Sequence, residues 1–173
     1  HWYLLMSGSM GFGNLGELVE QLLRTIRPED RVICVCGRNE DMQHSLQEAF
    51  TDNQQLWVLG FTDQVSLLMD ASNVIFTKPG GITSTEAIVK HIPLIHTTPI
   101  PGLEDRNAHF FHQHGLSYHT NDVAQQVAVA MRLCQDQAYR QQMLRQQREH
   151  ANTRSSDDVI DLILSEYEEA ATQ

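Results

Sequence analysis

Two segments combine glycines with hydroxyl residues, and each lies between an apolar run and a helical pattern. The first is residues 7–13, Ser-Gly-Ser-Met-Gly-Phe-Gly; the second is residues 77–87, in which two glycines precede three hydroxyl residues. Glycine lets backbone N–H groups approach a phosphate closely, and a helix N-terminus favours its negative charge. Two such segments in one chain favour a nucleoside diphosphate held between them.

The first segment also fits other chemistry. Gly11-x-Gly13-x-x-Gly16 matches the dinucleotide fingerprint, although its first glycine comes several residues after the apolar run. Arg38 would then suit the 2′-phosphate of NADP. Ser9 lies in a pattern similar to the nucleophile elbow of a serine hydrolase. A tight turn that binds no ligand is the simplest alternative.

Acidic and amide side chains supply groups that could hold hydroxyls. Glu86 follows Thr83 by three residues, so it fits either a capping box or a ligand contact. Residues 97–107 are stiffened by prolines and end in a polar cluster. Within that cluster Asp105 is a candidate N-cap, and the cluster as a whole suits a polyhydroxylated ligand.

The histidines and cysteines do not form a metal site of known spacing. His109, His112 and His114 do not share one helix face, and no cysteine or carboxylate completes a zinc pattern. Cys34 and Cys36 lie on one face of a predicted strand, where packing is expected. There is no Asp-x-Asp sequence to bridge Mg²⁺ to a diphosphate. We therefore expect no metal and no other cofactor.

Charge and composition limit the function classes. Acidic residues outnumber basic ones by 22 to 12 among 173, for a net charge of −10. This sign argues against nucleic-acid binding and against broad attraction to anionic lipid. Three cysteines are too few for a disulfide framework and fit a reducing compartment. No apolar run is long enough to span a membrane. The chain starts at His1 with a strand-like run directly after it, so we expect a piece of a longer protein.

Strand-like runs alternate with amphipathic stretches over the first 120 residues. The predicted strands are residues 2–6, 31–36, 55–59, 73–76, 93–95 and 116–118; the predicted helices are 15–25, 41–50, 64–70, 83–91 and 106–114, then 122–134, 136–150 and 156–169. This order predicts one α/β domain, a doubly wound parallel sheet of about six strands with helices on both faces. Its ligand site is expected at the carboxyl ends of the strands.

Together these segments resemble the C-terminal, donor-binding domain of glycosyltransferase family 28, half of a GT-B fold. The resemblance covers about residues 4–134 and is most specific at 60–63, 70–73, 78–86 and 104–107. Within that family the chain looks most like processive diacylglycerol glycosyltransferases and monogalactosyldiacylglycerol synthases. The peptidoglycan enzyme that adds N-acetylglucosamine to lipid I is a more distant relative.

The resemblance implies a UDP-sugar site whose residues can be matched one by one. They are Ser9, Met10 and Gly11 near the diphosphate; Phe61 and Thr62 at the uracil; Gly81, Ile82 and Thr83 at the phosphate-binding helix start; Glu86 at the ribose; and Glu104 and Asn107 facing the donor sugar. Two departures from the family pattern, at Ser7-Gly8 and at Asn107-Ala108, leave the choice between glucose and galactose open.

The implied activity is an inverting, metal-independent hexosyl transfer from a UDP-sugar to a lipid acceptor of the diacylglycerol type. The family's N-terminal domain, with the acceptor site and the usual catalytic base, is absent from this sequence, so the chain alone is expected to be inactive. The full-length enzyme would be cytoplasmic and peripheral at the inner face of the membrane. An NADP-binding oxidoreductase domain and a Ser9 hydrolase are the alternatives.

Overall fold

Strands and helices alternate along residues 1–6 and 15–171, the part of the chain that the computed structural model describes. The elements are β1 (Trp2–Met6), α1 (Leu15–Thr25), β2 (Arg31–Val35), α2 (Glu40–Ala49), β3 (Leu56–Leu59), α3 (Val65–Asp70), β4 (Val74–Thr77), α4 (Gly81–Val89), β5 (Leu94–His96), α5 (Leu103–Gln113), β6 (Tyr118–His119), α6 (Val123–Gln135), α7 (Gln137–His150) and α8 (Ser155–Ala171). Each predicted strand and helix has a counterpart, although the sixth strand lies at Tyr118–His119 and shares only residue 118 with the predicted 116–118.

The strands form one parallel sheet in the order β3-β2-β1-β4-β5-β6. At its centre Leu4 of β1 is in register with Ile33 of β2 on one side and with Ile75 of β4 on the other. The strand order reverses between β1 and β4, so the connections that follow these two strands leave toward opposite faces. A crevice opens there, at the carboxyl edge of the sheet. The doubly wound α/β prediction is confirmed.

Side chains of the central strands alternate between two apolar layers. Tyr3 and Leu5 of β1 belong to the layer that buries α1, α2 and α6, and the intervening Leu4 belongs to the layer that buries α3, α4 and α5. Cys34 and Cys36 lie together in the first layer, with their sulfur atoms 3.9 Å apart, which confirms their packing role. Burial on both faces explains why the strands read as continuous apolar runs.

Two helices at the crevice begin earlier than predicted. Helix α4 begins at Gly81 instead of residue 83, after Gly80 in an extended conformation (φ −76°, ψ 140°). Helix α5 begins at Leu103 instead of residue 106, after Gly102 at φ +96°, a backbone region that favours glycine. The apolar spacing located the buried faces of these helices, but the glycines decide where their first turns start.

The last helix differs from the others because its large apolar side chains are exposed. Those of α8 are Val159, Ile160, Leu162, Ile163, Leu164 and Tyr167. By contrast, α7 is anchored by buried Gln147, whose Nε2 donates to the carbonyls of Ile92 and Leu116 at 2.9 Å each. Within the described residues, none of the helices has the length and apolar character needed to cross a bilayer.

Candidate functional site

The connection after β4 leads straight into the N-terminus of α4. Gly80 is the N-cap and has no side chain with which to cap the helix. The N–H groups of the first turn, Gly81 to Thr83, therefore have no helical acceptor, and the positive end of the helix dipole lies with them. A Cβ atom placed on Gly81 would meet nothing within 4 Å among the described residues. This end of α4 thus offers donors, a positive potential and space, which together suit an anion.

Helix α5 fixes this connection through two side chains. Glu104 is only 4% exposed; one of its carboxylate oxygens forms an ion pair with Lys78 Nζ, and the other accepts a 2.8 Å hydrogen bond from the Ile100 N–H. Asn107 Nδ2 donates to the Pro79 carbonyl at 3.0 Å. Both residues were predicted to face a donor sugar. The structure gives each of them a partner in the protein, and the sugar contact stays a prediction.

Glu86 lies in the second turn of α4, half-buried and on the same face as Ile82 and Thr83. The capping-box alternative for Glu86 is wrong, because Thr83 is the third residue of the helix and Gly80 is its N-cap. Among the described residues, no hydrogen bond or ion pair engages the Glu86 carboxylate. Ile82 is 88% exposed. Glu86, the residue predicted to bind the ribose, therefore lies one helical turn after the first turn of α4, which carries the free N–H groups.

An apolar pocket of about 290 Å³ opens on the other side of β1, where β2 and β3 end. Phe61, after β3, is 71% exposed, and the Arg38 guanidinium lies 5.5 Å from the centre of its ring. Thr62 Oγ1 accepts a hydrogen bond from the Gln64 N–H at 3.1 Å. The pocket is lined by Met6, Val35, Gly37, Arg38, Phe61, Thr62 and Val65. An exposed ring beside an apolar pocket suits a planar base, which can stack on it.

The end of β1 joins the pocket and the α4 connection. Met6 is in register with Val35 of β2 and with Thr77 of β4, and it lines the pocket. The predicted site residues Phe61 and Thr62 thus lie on one side of β1, and Gly81, Ile82, Thr83, Glu86, Glu104 and Asn107 lie on the other. Ser9, Met10 and Gly11, and with them the Ser9 nucleophile and the dinucleotide fingerprint, lie outside the described residues.

Asp105 is not the N-cap that the sequence suggested. It is the third residue of α5, and its Oδ2 accepts a 2.7 Å hydrogen bond from the N–H of Gly102, the actual N-cap. The carboxylate therefore still stabilises the start of α5, but from inside its first turn.

Two residues at the site were missed by sequence reasoning. Lys78 lies within residues 77–87 but has no role in the sequence prediction, although a cation directly after a buried strand at the expected ligand edge is a usable signal. His96 is fully buried at the end of β5, hydrogen-bonded through Nε2 to Ser84 Oγ (2.9 Å) and through Nδ1 to Ser117 Oγ (3.0 Å). Burial, followed by the nearby His119 and His112, lowers the pKa of His96 to about 3. Nothing in the sequence marks these long-range partners.

The remaining histidines do not converge on a metal site. His114 Nδ1 is bonded to the Phe110 carbonyl at 2.8 Å, and His112 Nδ1 accepts from the His119 N–H at 3.3 Å. Across residues 1–6 and 15–171, no three His, Cys, Asp or Glu side chains are grouped as metal ligands would be.

Comparison with known proteins identifies the family. Residues 3–163 match the model of the glycosyltransferase family 28 C-terminal domain. A processive diacylglycerol beta-glucosyltransferase of Bacillus pumilus is 33% identical over 164 residues, which are 91% of this chain and 42% of that protein. One from Staphylococcus carnosus is 30% identical over 134 residues, 78% of this chain and 34% of that protein. The chain thus spans less than half the length of these relatives.

Solved structures share the fold. Acinetobacter baumannii MurG superposes with a TM-score of 0.74 at 21% identity, over 95% of this chain and 49% of that one. Anabaena Alr3699/HepE, solved in complex with UDP and glucose, superposes with a TM-score of 0.73 at 17% identity, over 95% of this chain and 48% of that one. The architecture is therefore the Rossmann-like half of a GT-B fold, and the chain belongs to the glycosyltransferase family 28 C-terminal domain family.

Proposed function

We propose that this chain is the donor-binding part of an inverting, metal-independent hexosyltransferase that uses a UDP-sugar and glycosylates a lipid of the diacylglycerol type. The observation that carries the proposal is the pairing of an uncapped helix N-terminus beside Lys78 with an apolar pocket beside Phe61, one on each side of β1. The names of the diacylglycerol glucosyltransferase relatives and the UDP and glucose bound to HepE support it.

The nucleotide would lie across the end of β1. The uracil would enter the pocket and stack on Phe61 beside Thr62. Stacking is favourable because it buries the exposed aromatic ring. The diphosphate would accept hydrogen bonds from the N–H groups of Gly81, Ile82 and Thr83.

The remaining contacts would surround the sugars. Glu86, one turn further along the same helix face, would accept hydrogen bonds from the two ribose hydroxyls. Glu104 and Asn107 would face the donor sugar; the Asn107 amide nitrogen is used by Pro79, so its Oδ1 is the atom for a sugar hydroxyl. Ser9, Met10 and Gly11 would complete the diphosphate site from the end of β1.

The chemistry assigned to this half is stabilisation of the leaving group. When the glycosidic bond to UDP breaks, negative charge grows on the diphosphate. The α4 N–H groups are already in place to meet it, and on this proposal they take the part that a divalent ion would otherwise play. Inversion would result from direct attack by the acceptor hydroxyl on the opposite face of the sugar. The base that removes the hydroxyl proton would come from residues outside this chain.

The lipid acceptor would bind outside this chain as well. The chain carries a net charge of −10, which disfavours contact with anionic lipid headgroups. We therefore propose that the full-length enzyme is peripheral at the cytoplasmic face of the membrane through its acceptor part. On this account the chain alone transfers no sugar to diacylglycerol, and it has no nucleic-acid partner.

Calorimetric titration with UDP, in buffer containing EDTA, tests donor binding and metal independence together. We expect UDP to bind at one site with the same affinity with and without EDTA, and NADPH not to compete. Loss of UDP binding on chelation would contradict metal independence. Tighter binding of NADPH than of UDP would instead support the oxidoreductase alternative, in which Arg38 meets a 2′-phosphate. Labelling of Ser9 by a fluorophosphonate would support the hydrolase.

Glu86→Gln tests the ribose assignment. Replacing a charged acceptor should weaken UDP by about ten- to a hundredfold. The thermal midpoint should not change, because the Glu86 carboxylate has no partner among the described residues. Glu48→Gln, on α2, is the matched control and should leave UDP affinity unchanged. An unchanged affinity in Glu86→Gln would remove Glu86 from the site.

A further inference from the structure

Three buried polar side chains connect α4 to the far edge of the sheet. The His96 imidazole lies between the hydroxyls of Ser84 on α4 and Ser117 just before β6, at 2.9 and 3.0 Å. His96 and Ser84 are fully buried, and Ser117 is nearly so. A neutral imidazole has one donor and one acceptor nitrogen, so it donates to one hydroxyl and accepts from the other. Its hydrogen-bonding capacity is therefore used completely by the two serines.

The position of His96 is set by the sheet and by α5. It is the last residue of β5, and its carbonyl is bonded to His119 Nδ1 at 3.2 Å. Its ring packs on Phe111 of α5, with ring centres 5.3 Å apart. The next residue, Thr97, donates its N–H to the Thr77 carbonyl at the end of β4 at 2.9 Å. The position of His96 is thus fixed by its neighbours, and its hydrogen bond to Ser84 can fix the position of α4.

Ser84 is the residue through which the first turn of α4 contacts His96. Its N–H closes the first helical hydrogen bond, to the Gly80 carbonyl at 3.1 Å. The residues before it in the helix point away from the core, since Ile82 is 88% exposed and Thr83 is half-exposed. Ser84 is therefore the first buried side chain of α4, and its bond to His96 is the first polar anchor of the turn that carries the free N–H groups.

We propose that His96 is a positioning residue for the donor nucleotide: through Ser84 it fixes the direction in which the first turn of α4 presents its N–H groups to the diphosphate. This inference rests on the proposed function. Ser84 and His96 are fully buried, so neither contacts a ligand itself, and any effect on binding has to pass through the position of the helix.

Two matched variants separate positioning from stability. Ser84→Ala and Ser117→Ala each remove one hydroxyl from the same imidazole, but only Ser84 lies on the helix of the site. Both variants should lower the thermal midpoint by similar amounts. Ser84→Ala should weaken UDP by about tenfold, and Ser117→Ala by less than about twofold. Equal losses of affinity in the two variants, or no loss in either, would overturn the proposal.

Amide hydrogen exchange without nucleotide keeps this test independent of the proposed function. Ser84→Ala should speed exchange at the amides of Thr85 and Glu86, whose hydrogen bonds close the first turns of α4, and Ser117→Ala should not. Absence of UDP binding by the unaltered chain would contradict the proposed function alone. Unchanged exchange in Ser84→Ala, or equally faster exchange in both variants, would contradict the positioning role of His96 even if UDP binds.

Discussion

The connection after β4 and the segment after β3 face the same edge of the sheet, but they are held differently. After β4, the Lys78–Glu104 ion pair and the hydrogen bond from Asn107 to the Pro79 carbonyl link the β4–α4 connection to α5, and Glu104 is 4% exposed. After β3, Phe61 is 71% exposed and is touched by the Arg38 guanidinium over an apolar pocket. The side chains around the β4–α4 connection are therefore already bonded to one another without a ligand, whereas the Phe61 ring remains exposed.

This difference matches what each part of a nucleotide requires. Stabilising a growing charge depends on dipoles that are already oriented, because reorienting them during the reaction would cost the energy they supply. A base gains affinity by covering apolar surface, which has to be exposed beforehand. Changes to the cross-linking side chains Lys78, Glu104 and Asn107 should therefore affect both stability and binding, whereas changes at Phe61 should affect binding alone.

The largest effect is expected from Lys78→Met, which leaves the buried Glu104 carboxylate without its cation. We expect the free energy of unfolding to fall by about 3 kcal/mol, measured by urea denaturation, because an uncompensated buried charge is costly. Lys90→Met is the matched control: it breaks the ion pair with the exposed Asp70 and should cost less than about 1 kcal/mol. Equal losses in the two variants would show that the α4 side is not held by its buried pair.

Phe61→Ala should separate binding from stability. Loss of a stacking ring should weaken UDP by about tenfold, measured by calorimetry, because base–aromatic stacking contributes about 1–3 kcal/mol. The thermal midpoint should not fall, since the ring is mostly exposed. Leu67→Ala, on α3, removes a side chain that is 63% exposed and does not line the pocket, so it should leave UDP affinity unchanged. A lower thermal midpoint of Phe61→Ala with unchanged UDP affinity would show that Phe61 stabilises the fold and does not bind the base.

Acid should lower the free energy of unfolding through the buried His96. The folded pKa of His96 is about 3, below its ordinary value of 6.5, because of burial and the facing His119 and His112. Between these pH values the unfolded chain binds a proton there that the folded chain does not. Through His96, the free energy of unfolding therefore falls by about 1.4 kcal/mol for each pH unit below 6.5. Urea denaturation of His96→Gln from pH 6.5 to 4.5 should show a shallower decline. His109→Gln, which alters an exposed histidine, should keep the original slope.

The smallest effect is expected at the other end of α4. His91 follows the helix at φ +55°, a left-handed conformation that glycine adopts more easily, and its Nδ1 is buried without a partner among the described residues. His91→Gly should raise the free energy of unfolding by about 0.5–1 kcal/mol and leave UDP affinity unchanged. Destabilisation by this change would mean that the packing of the imidazole outweighs its backbone strain.

The sequence predicted the sheet and its ligand edge because buried parallel strands and amphipathic helices have periodic patterns. It placed the start of α4 two residues late and treated Thr83 as the partner of Glu86, because a glycine N-cap leaves no periodic signal. The contact between Lys78 and Glu104 joins residues 26 positions apart, and His96 contacts serines that are 12 and 21 positions away. Such pairs depend on how the β4–α4 connection packs against α5 and how α4 packs against β5, which a single sequence does not specify. The anion-binding segment at the start of α4 was predicted from its glycines and hydroxyl residues, whereas Phe61 was found through family resemblance; both lie at the crevice.

The most direct test of the account is to map where UDP contacts the chain by titrating the ¹⁵N-labelled protein with UDP in EDTA and following its amide signals. The account predicts the largest shifts at two separate places, Gly81 to Thr83 and Phe61 to Thr62. The half-open cavity bordered by Tyr118 and Tyr139 should stay unaffected. Shifts confined to that cavity, or to only one side of β1, would contradict the claim that the nucleotide bridges the two sides of the crevice.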